Sequence, residues 1–120
     1  MKRVHHELVA WQQAMLLVRQ VYELTAEFPA DERFGLVAQM RRAAVSIPSN
    51  IAEGAARQSK REFAQFLIVA RGSLSELDTQ FRIAQDLVFC PPQSELEIQI
   101  NRLFSLLGGL LKSQRESEKT

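Results

Sequence analysis
The sequence predicts an all-α protein, an antiparallel up-down four-helix bundle, on three observations. Apolar residues recur at three- and four-residue steps in four segments, and none of them alternates as a half-buried strand does. Two segments open on Ser-x-x-Glu, a pattern in which the serine hydroxyl and the acid satisfy free N–H groups at a helix start. The connections are short, so successive helices are expected to run antiparallel as neighbours. A chain of 120 residues holds one domain with a core and is too short for two. Residues 1–120 are therefore expected to form a single bundle.

The first helix is expected over 7–27, where Leu8, Trp11, Met15, Val18, Tyr22 and Thr25 form an apolar row that ends before Pro29. The second, over 33–57, follows "PADERF" with Asp31 as its cap, and its row is Leu36, Met40, Ala43, Ile47, Ile51 and Gly54. The third, over 60–89, opens on "SKRE", where Ser59 caps and Glu62 reaches back. Its row is Phe63, Leu67, Ala70, Leu74, Leu77, Phe81, Ala84 and Val88, and "CPPQ" stops it because two prolines cannot continue a helix. The fourth, over 95–114, opens on "SELE" with a box from Ser94 to Glu97, and runs through Ile100, Leu103, Phe104, Leu107 and Leu111. The charged tail "QRESEKT" is expected to fray. Helices of about 20–30 residues span roughly 30–45 Å.

The stretch "AAVSIPSNIAEGAAR", Ala43 to Arg57, carries a proline and several polar residues. On a helix at about 100° per residue, Gln39, Arg42, Ser46, Asn50, Glu53 and Arg57 form a second stripe, about a quarter turn from the apolar row. A loop has no reason to keep that spacing, so the segment reads as continuous helix. Pro48 removes one backbone hydrogen bond and is expected to bend the helix near Ala44, with Ser46 bonding a freed carbonyl. Ser73, Glu76 and Gln80 form a matching row on the third helix. Either the two rows face water, or they face each other as a polar seam within the bundle or between subunits. In the second case Arg42 or Arg57 is expected to pair with Glu76, because buried charges persist only when paired.

Composition is ordinary, 46% hydrophobic and 24% charged with a net charge of +1. That argues against a dedicated polyanion binder by total charge, yet the charge is uneven. Residues 39–72 hold six basic groups (Arg41, Arg42, Arg57, Lys60, Arg61, Arg71) against two acidic ones (Glu53, Glu62), and the remainder is net negative. Arg57, Lys60 and Arg61 gather between the second and third helices, beside Ser59 and the free N–H groups of a helix start. That arrangement suits a phosphate, and the alternative is a solvated turn. Arg41, projecting away from both stripes, and Arg71 complete the candidate nucleic-acid-binding set.

Catalysis and cofactor binding have no support in the sequence. His5 and His6 point about 100° apart on a helix with no acidic or cysteine partner three or four positions away, so no metal site is expected. Glu53 and Glu76 lack the Glu-x-x-His step of di-metal bundles. Cys90 has no histidine partner and reads as an inert helix-end residue. The "GGLLKS" stretch lacks the spacing of a phosphate loop, and close helix approach is the expected reason for Gly108 and Gly109. One cysteine rules out an internal disulfide and fits a reducing compartment. No signal-like segment and no apolar run near the ~20 residues that span a bilayer are present, so the expected location is the cytoplasm, with no membrane partner.

The runs "SIPSNIAEG" (Ser46–Gly54), "SKREFAQFL" (Ser59–Leu67) and "ARGSLSE" (Ala70–Glu76) resemble the four-helix bundle family of bacterial 23S ribosomal RNA intervening-sequence proteins. Trp11, Tyr22 and the stretch Phe28–Ala43 are similar to that family too. The family includes the accessory variability protein of diversity-generating retroelements. The resemblance implies a homopentamer of bundles around a central channel, with a nucleic-acid-linked or unassigned role. The retroelement member works with a reverse transcriptase and binds nucleic acid through basic residues. The expected function is a non-enzymatic, oligomeric nucleic-acid-binding or ribonucleoprotein accessory protein, with itself and RNA or DNA as partners. The alternative is a protein-protein interaction scaffold with no nucleic-acid role. Phe66 and Val69, at the border of the third helix's apolar row, place the expected subunit contact on the second and third helices.

Overall fold
The computed structural model describes residues 3–92 and 94–118. Among them the chain forms four α-helices and no strand: α1 (Val9–Thr25), α2 (Leu36–Ala55), α3 (Lys60–Asp86) and α4 (Ser94–Glu118). Short 3-10 turns cover Val4–Glu7 and Ala30–Glu32. Each helix packs on its neighbours in the chain, and α4 closes on α1, in a body of 50 × 28 × 20 Å.

The core follows the apolar rows of α2, α3 and α4. Met40, Ile47, Ile51, Leu67, Leu74, Leu77 and Leu103 are fully shielded from solvent, and burying each such side chain contributes about 1.5–3 kcal/mol. The row expected on α1 is displaced. Its buried face is Ala10, Ala14, Leu17, Val21 and Thr25, while Met15 and Tyr22 face outward at 46% and 42% exposure. Size explains the difference: two alanines let the backbone of α1 approach its neighbours, which the bulkier Met15 and Tyr22 would prevent.

Helix ends also differ in detail. α2 starts at Leu36, whose N–H donates to the Glu32 carboxylate at 3.2 Å, so Glu32 rather than Asp31 supplies the cap. Ser59 Oγ accepts from the Glu62 N–H at 3.1 Å as expected. The Glu62 carboxylate, however, accepts from the Ser59 hydroxyl (3.2 Å) instead of the backbone. α3 stops at Asp86, before the prolines, through paired bonds from Val88 N–H to the Gln85 carbonyl (3.0 Å) and Phe89 N–H to the Ala84 carbonyl (2.9 Å). That is the Schellman arrangement. Val88 therefore leaves the apolar row, adopts φ of 60° and is 82% exposed. α4 continues to Glu118, so the tail as far as Glu118 is helical rather than frayed, with Lys112 and Glu116 paired at 4.0 Å across one turn. The expected Ser94 hydroxyl cap falls on a side chain outside those described. No described helix is long and apolar enough to cross a membrane.

Gly54 marks the closest approach of α2 to α3. A Cβ there would lie 2.7 Å from Phe66 Cβ and 2.9 Å from Phe63 Cδ1. Gly108 and Gly109 have nothing within 4 Å of such an atom, so close packing is not their reason. Gly54→Ala should therefore lower stability by about 1–3 kcal/mol through overpacking, whereas Gly109→Ala should raise it by up to about 1 kcal/mol through helix propensity. Urea denaturation of the two variants checks both signs.

Candidate nucleic-acid interface and polar seam
The α2–α3 connection presents Arg57, Lys60 and Arg61, all exposed. Arg57 lies 4.9 Å over the Phe66 ring and 3.6 Å from the Glu53 carboxylate, which holds its guanidinium along the surface. The start of α3 is already occupied by Ser59 and the Glu62 carboxylate. An anion meeting this turn is thus engaged by the basic side chains more than by the helix N–H groups.

Arg41 does not belong to this surface. Its Nε donates to Thr25 Oγ1 (2.9 Å) and its Nη2 to the Tyr22 carbonyl (3.3 Å), with the guanidinium 4.4 Å over the Tyr22 ring. The carbonyl-rich end of α1 attracts the cation, so Arg41 ties α2 to α1. Arg71 is half-buried in the middle of α3, away from the connection. Of the five basic candidates, three share one site.

The other end of the bundle has the opposite charge. The Phe28 and Phe89 rings, 5.8 Å apart, bring the α1–α2 and α3–α4 connections together. Glu27, Asp31 and Glu32 lie on the α1–α2 connection with Arg33, and Asp86 and Glu95 lie at the helix ends that flank the α3–α4 connection.

The seam exists at its centre and without charge. The Ser46 and Ser73 hydroxyls bond at 2.9 Å between α2 and α3. Asn50 Nδ2 donates to the Ser46 carbonyl (2.8 Å) and hydroxyl (3.0 Å). Ser46 thus reaches across to α3 instead of satisfying a carbonyl freed by Pro48, and the neighbouring Ser49 hydroxyl donates to the Val45 carbonyl at 2.8 Å. Gln39, Arg42, Glu53 and Glu76 are exposed. Arg57 pairs with Glu53, and among the described residues Arg42 and Glu76 form no ion pair. Desolvating two charges costs more than hydroxyl and amide partners do, so the charges stay outside. Gln80 is 7% exposed, and its Oε1 has no partner.

A second polar link lay unread in the sequence. Gln99, 2% exposed, donates from Nε2 to the carbonyl and to Oε1 of Gln13, both at 2.9 Å. Arg102 Nη1 in turn donates to Gln99 Oε1 at 3.0 Å within α4 and to Gln13 Oε1 at 3.5 Å, so the bonds to Gln13 clamp α4 to α1. The available signal was spacing: Gln99 sits three residues after Leu96 and four before Leu103, on the buried face.

The His5 and His6 rings meet edge to face, their centroids 4.5 Å apart, beside Trp11. Among the described residues no cluster of three or more histidine, cysteine or acidic groups is placed to hold a metal. Cys90 is buried beyond the end of α3, and burial pushes its thiol up from the ordinary value.

The family model of the 23S rRNA-intervening sequence protein matches residues 6–109. The chain belongs to this family. No curated protein matches the chain. The match to the intervening-sequence family includes the seam, the basic connection and the Gln13–Gln99 clamp, and ends within α4.

Ser73→Ala should cost about 1 kcal/mol, the net contribution of one part-buried hydrogen bond. Glu53→Ala should change stability by less than about 0.5 kcal/mol, because its ion pair is solvent-screened; both are read by chemical denaturation. Raised by desolvation, the Cys90 thiol should react with iodoacetamide more slowly than a free thiol at neutral pH. Its rate should climb only at higher pH than a model thiol's, and equalise with it in denaturant.

Proposed function
We propose that this protein is a non-enzymatic, oligomeric accessory protein of the cytoplasm that binds nucleic acid, with the α2–α3 connection as the contact. The observation that carries this reading is the charge polarity of the bundle. Arg57, Lys60 and Arg61 stand exposed on one connection, and the acidic groups collect at the other two. The family name, which points to ribosomal RNA, supports it. An up-down arrangement of the four helices, as their short connections imply, and a pentameric assembly, as the resemblance implies, would repeat the basic turn on one rim. Repetition converts three cations per copy into a multivalent surface, so modest net charge suffices for a polyanion. Contacts of this kind go to the phosphate backbone and carry little sequence preference.

A second reading, a docking scaffold for another protein, is favoured by Phe34, 89% exposed, and by Leu87 and Val88 on the acidic connections. Salt separates the two. Labelled structured RNA and duplex DNA should bind with an affinity that falls steeply as salt rises. A triple Arg57/Lys60/Arg61→Ala variant should lose most of that binding and its salt dependence, and Glu62→Gln should tighten it a few-fold. Fluorescence anisotropy reads both, and no binding by the unaltered protein at low salt would move the argument to the scaffold.

A further inference from the structure
Two histidines stand outside the contact described above, and the packing sets them at its edge. The Val4–Glu7 turn precedes α1 and packs on both α1 and α2. Arg41 fastens α2 to the Tyr22–Thr25 end of α1, while the turn touches α2 from the opposite end of α1. From Arg41 to Ala55, α2 covers about 21 Å, close to the ~25 Å of α1. The end of α2 and the connection bearing Arg57, Lys60 and Arg61 therefore share one end of the bundle with the turn.

Ring contacts and hydrogen bonds hold the pair in place. His5 and His6 are half-buried, with ring centroids 5.1 and 5.0 Å from that of Trp11. Gln12 Nε2 donates to the His6 carbonyl at 2.8 Å, which ties the turn to α1. His6 Nδ1 accepts from the Arg3 N–H at 3.0 Å, so the neutral ring carries its proton on Nε2. A second proton goes to Nδ1 and ends that bond. With centroids 4.5 Å apart, two charged rings also repel each other. The turn itself brings Arg3 and Glu7 to the pair, and α1 brings no charge before Arg19. On the end of α2 the charged residues are Glu53 and Arg57, paired at 3.6 Å.

We infer that His5 and His6 are a proton-dependent part of the nucleic-acid contact: once charged, they add two cations beside Arg57, Lys60 and Arg61 for the phosphate backbone. The inference rests on the nucleic-acid reading above and names its regulation. Histidine changes charge between about pH 5 and pH 8, whereas arginine and lysine stay charged throughout. A phosphate beside the pair offsets the repulsion of the two rings and the loss of the Arg3 bond. Anion binding thus favours proton uptake, and proton uptake favours anion binding by the same factor. Affinity rises as pH falls.

Fluorescence anisotropy with labelled structured RNA, at constant ionic strength, reads the effect. Binding should be about tenfold tighter near pH 6 than near pH 8, a coupling of ordinary size for linked sites. The dependence of log affinity on log salt should steepen by roughly one for each proton taken up at the contact. His5→Gln combined with His6→Gln should keep the affinity seen near pH 8 and lose the gain. Glutamine retains an acceptor for the Arg3 N–H, and circular dichroism confirms that the variant is folded. Trp11, the single tryptophan of the chain, supplies a second readout, because a charged imidazole quenches an adjacent indole. Its fluorescence should titrate with the pair, and RNA should move the midpoint to higher pH. Absence of RNA binding at either pH overturns the nucleic-acid reading and this one together. Equal binding at both pH values, a gain that survives in the glutamine variant, or a Trp11 midpoint that RNA leaves in place overturns the role of the histidines alone.

Discussion
The close approach of α2 to α3 is the constraint on which the remaining structure depends. Gly54 lets Phe63 and Phe66 sit against the α2 backbone, and two hydroxyls span the same interface further along. Small side chains on one helix accept large ones from the other, which lets the two backbones approach closely. Once this pair is fixed, the basic connection is held at one end and the seam faces outward. Pro48 lies buried in the packed bundle, where tertiary packing supports a helix that has lost one backbone bond.

Electrostatics follow from that frame. Charges are kept out of the core; those that link helices, Arg41 on the end of α1 and the Arg82–Glu97 pair between α3 and α4, lie outside it. The polar groups admitted to the interior are neutral: Ser46, Ser73, Asn50, Gln13 and Gln99. Each link between helices uses a different chemistry. Paired hydroxyls join α2 to α3, an amide clamp joins α4 to α1, and an arginine on a helix end joins α2 to α1. Such differences favour one arrangement of helices over its near relatives.

Four helices and the apolar rows of α2, α3 and α4 were legible in the sequence because large aliphatic residues mark their faces. α1 was not, since Ala10 and Ala14 are weakly apolar by type and buried by virtue of size. The basic cluster at Arg57, Lys60 and Arg61 was legible from local sequence alone. Arg41 was misplaced because its partners, Tyr22 and Thr25, belong to another helix and only the fold brings them near. The Glu32 cap likewise required the 3-10 turn that aims its carboxylate at Leu36. Gln99 escaped notice because a single glutamine in an apolar row looks like an interruption.

Val88 carries a consequence for how this part of the structure is held. The left-handed turn after a helix suits glycine, and a β-branched residue there resists it. Local preference alone would not stop α3 at Asp86; the reversal is held by Phe89 docking on Phe28, a contact with α1's own connection. The final corner of the bundle therefore rests on a contact between two connections as much as on its own backbone preference.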